Sequence, residues 1–166
     1  ATGNPRNLSA WWLHRMIGAP HPLLEKTTLF WHGHFATSAA KVADAKLMWA
    51  QHKLLRKHAL DKLGPLVQAI SRDPAMLIYL DNAVSQKALT DDEEVMAVKR
   101  VRSQRRLRSI MARVRHRGLN ENYARELLEL HTLGAGSHSE RDVRDTARVL
   151  TGWSIDDRRR FRFDPG

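Results

Sequence analysis

Asn120-Glu121-Asn122-Tyr123-Ala124-Arg125-Glu126-Leu127-Leu128-Glu129-Leu130-His131-Thr132-Leu133-Gly134 reads as one amphipathic helix. Asn120 suits a side-chain N-cap and Gly134 a helix stop. At about 100° per residue, Glu121, Asn122, Arg125, Glu126 and Glu129 share an arc of about 140°. Tyr123, Ala124, Leu127, Leu128 and Leu130 cover the opposite side. A helix of this kind buries one stripe and needs neighbours to cover it. His131 falls within the apolar arc, where a core imidazole bonded to a carbonyl is expected.

The rest of the chain supplies the neighbours. Ser9 can cap a helix through Trp11, Trp12, Leu13 and Met16 that Gly18 stops. Pro22 suits a helix start, and Leu23, Leu24, Thr27, Phe30 and Trp31 recur at helical steps until Gly33 interrupts them. Thr37 or Ser38 can open a long helix through Val42, Ala45, Met48, Trp49, His52 and Leu55, ending near Leu63-Gly64-Pro65. A shorter helix follows from Leu66 to Ser71. Asp73-Pro74 then caps an apolar helix through Leu80. Ser139 and Asp142 form a capping box for a helix that ends at Thr151-Gly152. No stretch alternates long enough to read as a strand. Phe161 and Phe163 alternate within the Arg-rich tail, which fits either a strand start or a frayed end. The expected fold is all-α, a compact multi-helix domain of about six to eight helices.

The 166 residues fit one domain, expected over 1–166. No apolar run approaches the ~18 residues of a membrane span. With no cysteine, disulfides and thiolate chemistry are excluded. The net charge of +10 is local: Lys99 to Arg117 holds nine basic residues and no acidic one. Outside it, 19 of the 28 basic residues face 18 acidic ones. Leu107, Ile110, Met111 and Val114 form a stripe there. Arg102, Arg105, Arg106, Arg108, Arg113, Arg115 and Arg117 belong to this basic helical segment. Such a face is either solvated or a contact for nucleic acid or an anionic membrane surface.

Several strings resemble one bacterial family, the domain of unknown function 1800. They are Pro22 to Phe35, with Trp31-His32-Gly33-His34-Phe35 at its end, then Leu54 to Leu60 and Asp73 to Asn82. The Asn120 to Gly134 string, Asp142-Val143 and Leu150-Thr151-Gly152-Trp153 follow in the same order. The resemblance runs from about residue 11 to 165. It implies a fragment of a longer chain, whose N- and C-terminal parts pack on it, and an exported or periplasmic bacterial setting. It carries no established activity. Against the family pattern, residues 83–119 look like a basic helical insertion.

Two groups of residues are candidates for chemistry. If Gly33 breaks the helix, His32 and His34 can face one point, as metal-ligating imidazoles do. Glu126 and Glu129, three residues apart, can converge and complete a divalent-metal site with them. In that reading His32, His34 and one Glu hold the ion, the other Glu is a base, and Arg125 orients a carboxylate or stabilises an anion. Asn120, Glu121 and Asn122 complete the polar site. The opposing reading is a solvated face, in which Arg125 pairs with Glu121 and Glu129 for a few tenths of a kcal/mol each. There is no phosphate-binding Gly-rich loop, nucleophile elbow or His-Glu-x-x-His string. The functional expectation is therefore metal-assisted hydrolysis at a polar site. The alternatives are a non-catalytic binding or scaffold module, or anionic-polymer binding through the Arg-rich insertion.

Overall fold

A computed structural model describes residues 5–82 and 119–164. The expected insertion over 83–119, with Arg102, Arg105, Arg106, Arg108, Arg113, Arg115 and Arg117, lies outside the described residues apart from Leu119. The described residues form an all-α domain with one small hairpin. In chain order the helices are α1 (Pro5–Gly18), α2 (Pro22–His34), α3 (Ala39–Val42), α4 (Ala45–Lys57), α5 (Leu63–Ser71), α6 (Pro74–Tyr79), α7 (Glu121–Glu126) and α8 (Glu140–Leu150). A π-helical turn, Leu127–Thr132, continues α7 directly. Strands β1 (Trp153–Ile155) and β2 (Phe161–Phe163) pair antiparallel, with Ser154 opposite Arg162.

Several caps form where the sequence places them. The Asp73 carboxylate accepts from the Met76 amide at 3.0 Å, and Pro74 opens α6. Asn120 accepts from the Asn122 amide, and Ser139 and Asp142 close their capping box.

Four local expectations are corrected. Ser9 does not cap the first helix, because α1 already begins at Pro5 and carries Ser9 within it. Gly33 does not end α2, which runs on through His34. The long helix expected from Thr37 or Ser38 is divided, because Ala43 takes a left-handed conformation (φ 53°) and Asp44 caps a fresh start through the Lys46 and Leu47 amides. Gly64 and Pro65 do not end a helix but stand in the first turn of α5, where proline needs no amide hydrogen bond. Of the two readings left open for the tail, Phe161 and Phe163 take the strand: the last helix leads into a hairpin, in which Trp153 and Phe161 meet edge to face.

The core joins α4, α5, α6, α7 and α8 through Leu55, Leu66, Ile70, Met76, Leu77, Tyr123, Val143 and Leu150, with Phe35 following α2. Each such side chain contributes about 1.5–3 kcal/mol when buried. Glu25 is buried within the domain at 1 % exposure. Its carboxylate accepts from Arg15 and Trp12 of α1 and from Arg56 of α4, so three helices meet on one charge. Burial alone would raise the Glu25 pKa, but these donors outweigh it and the net direction is down. A second network ties Thr37 to Gln51 and Gln51 to Asp73.

Candidate functional site

Because α2 stays helical through Gly33, His32 and His34 diverge by about 200° around its axis. His32 faces α4, where its Nε2 lies 3.2 Å from Nδ1 of His52. His34 faces the π turn, and its Nε2 lies 3.2 Å from the carbonyl oxygen of His131. A carbonyl can only accept, so that ring nitrogen carries the proton. In the neutral ring Nδ1 then keeps its lone pair, the state a base or metal ligand needs.

His34 opens on a cleft of about 450 Å³. Glu126 and Asn122 of α7, Lys41 of α3, Tyr79 of α6 and His131 of the π turn also line it. Lys41 bonds the Asp81 carboxylate at 2.7 Å and lies 5.6 Å from the Tyr79 ring. Glu126 is partly buried and makes no hydrogen bond or ion pair among the described residues. Burial, helped by His34, pushes the His131 imidazole down to about 4, so it is neutral near pH 7. The cleft thus combines a carboxylate, an ammonium group and two imidazoles, of which that of His131 is neutral near pH 7.

The remaining polar residues of α7 are engaged elsewhere. Arg125 bonds both carboxylate oxygens of Glu140, at 3.0 and 2.8 Å, and lies 3.3 Å from Glu129 and 3.7 Å from Glu121. Glu129 also lies 3.5 Å from Nε2 of His138. The acidic partners hold the Arg125 pKa above its ordinary value. This is the salt-bridged surface that the i,i+4 spacing allows, widened by Glu140 from α8. Asn120 and Asn122 both donate to the Leu80 carbonyl, and Asn120 also to that of Asp81. Asn82 donates to the carbonyls of Leu150 and Trp153. These amides close helix ends and tie distant segments together.

The four residues His32, His34, Glu126 and Glu129 are therefore divided among different surroundings. His34 and Glu126 share the cleft, His32 joins His52, and Glu129 joins Arg125 and His138. Among the described residues, no three His, Asp or Glu side chains gather closely enough to hold an ion.

The order of these segments has a counterpart among known proteins. The family described as Protein of unknown function (DUF1800) matches residues 2–166. The chain belongs to that family. No curated protein and no solved structure matches it.

In this DUF1800 chain the cleft also draws on residues that the sequence does not single out. Lys41 and Tyr79 carry no local signal, since they reach the cleft only through the packing of α3 against α6. His131 is buried as its place in the apolar arc requires, but its Nδ1 has no partner among the described residues where a carbonyl is expected; it borders the cleft and supplies the carbonyl that orients His34. The π turn is the sole hint of that role, because such turns recur at functional sites. His52 reads as part of the α4 face, and its pairing with His32 depends on the tertiary fold.

Proposed function

We propose that the cleft between α2 and α7 is a hydrolytic acid–base site, with His34 and Glu126 as its reacting groups. One observation carries the reading: His34 and Glu126 line one cleft although they lie far apart in the chain. His34 Nδ1 takes the proton of an attacking water while the His131 carbonyl fixes the ring. Glu126 orients that water or moves the second proton. Lys41 lines the cleft with its ammonium already paired to the Asp81 carboxylate, so it stands as a hydrogen-bond donor at the wall and not as a free charge. If a divalent ion takes part, His34 and Glu126 would be its protein donors and it would serve to activate the attacking water. Arg125, Glu129 and Glu121 stand outside the chemistry as a surface salt-bridge cluster, and Asn120 is a structural cap.

A panel of p-nitrophenyl acetate, phosphate and glucoside, with and without added zinc or manganese, tests this reading. We expect turnover of at least one ester, reduced roughly a hundredfold or more in both His34→Gln and Glu126→Gln. His32→Gln retains the rate. Turnover that survives both cleft variants, or none with any substrate or metal, refutes the proposal.

The amide network favours a second reading, a helical scaffold whose polar strings serve only to fix the fold. It predicts that Glu126→Gln changes neither turnover nor stability.

A further inference from the structure

A second cavity, of about 380 Å³, lies where α1, α2 and α4 meet. Trp11, Trp12, His32, Met48, Trp49 and His52 supply most of its wall. The His52 ring is surrounded by aromatic rings: Trp12 at 4.7 Å, Trp49 stacked at 5.3 Å, His32 stacked at 5.4 Å and Trp11 at 5.8 Å. Its Nδ1 is engaged by His32. Its Nε2 is buried and has no partner among the described residues, in a side chain from a residue only 6 % exposed. An unmet buried polar atom of this kind is costly, and a ligand that meets it recovers the cost. Thr37, also on the wall, already donates to Gln51.

The surrounding charges set the ligand's character. Arg15 stands 5.6 Å from the Trp11 ring and Lys53 stands 5.8 Å from the Trp49 ring. Two indoles therefore already face cations, and a cationic ligand would meet like charge. Burial holds His32 and His52 both down to about 4, so neither offers a charge near pH 7. When His32 Nε2 donates to His52 Nδ1, the proton of the neutral His52 ring sits on Nε2, which is then a donor without a partner among the described residues. Flat aromatic walls and a cavity of this volume suit a small ring system.

We propose that this pocket binds an uncharged, planar, bicyclic heteroaromatic molecule whose in-plane acceptor takes the hydrogen bond of His52 Nε2. The site is separate from the His34–Glu126 cleft and does not depend on hydrolysis there.

Quinoxaline, with ring nitrogens as acceptors, and naphthalene, of the same shape without them, are the probes. Tryptophan fluorescence and ligand-observed NMR follow saturation. The expected result is one site that favours quinoxaline by roughly tenfold. His52→Phe should erase that preference, with circular dichroism reporting the fold. Ser9→Trp, from an exposed position on the wall, should block both probes and keeps the test decisive if His52→Phe does not fold. Absence of saturation by quinoxaline, equal affinity for the two probes, or binding that survives Ser9→Trp overturns the proposal.

Discussion

At the scale of single residues, the buried histidines make acid stability a sharp test. His32, His52 and His131 are each held down to about 4 against an ordinary 6.5, first by burial. The unfolded chain therefore binds more protons than the folded one between about pH 6.5 and 4. Stability is full above that window and is lost as the pH falls through it. Asp73 opposes this, since burial pushes its carboxyl from 3.8 up to about 6. Its contribution grows as the pH falls from about 6 towards 4. Three histidines outweigh one aspartate, so the melting temperature at pH 4.5 should lie several degrees below that at pH 7. His52→Phe should flatten the profile by one histidine's share. A midpoint that rises on acidification contradicts this assignment. Little of it was legible in the sequence. The His32 and His34 pair stands out there, but their partners His52 and His131 come from other helices.

At the scale of elements, two glycines make opposite predictions. Gly33 lies inside α2 with nothing within 4 Å of the position a Cβ would take. Gly33→Ala should stabilise the chain by about 0.5–1 kcal/mol by removing backbone freedom from the unfolded state. Gly152 has φ +84°, and a Cβ there would run into the Asp164 carbonyl where the hairpin closes. Gly152→Ala should cost on the order of 1–2 kcal/mol for the backbone conformation alone, and more for the clash. Chemical denaturation of both variants measures the difference; equal effects would refute the description of α2 and the hairpin. The caps at Asp73, Asn120 and Ser139 were readable because each bond spans only two or three residues. The Ala43 break was not, because alanine gives no warning of a left-handed turn. The π turn was equally hidden, since its residues keep an ordinary helical pattern.

At the scale of the whole molecule, all-α architecture was legible from helical periodicity, but the membership of each cavity was not. Periodicity assigns a residue to a face and leaves the opposing helix undetermined. His32 and His34 show the consequence: one helical residue between them sends them to separate cavities. Glu25 gives the test of assembly, because its buried carboxylate joins α1, α2 and α4. Glu25→Ala should destabilise the domain by about 2–3 kcal/mol, below the full loss for a buried pair because Arg15 and Arg56 keep access to water. Loosening of α1 should also weaken quinoxaline binding, whereas an unchanged melt would remove Glu25 from its place as the clamp.

The central claim is that His34 and Glu126 act together. A double-mutant cycle on the p-nitrophenyl substrate turned over fastest, using kcat/KM for wild type, His34→Gln, Glu126→Gln and the pair, measures it most directly. The account predicts strong non-additivity, with the double variant about as slow as the slower single one. Independent, multiplying losses, or a His32→Gln variant as impaired as His34→Gln, would contradict it.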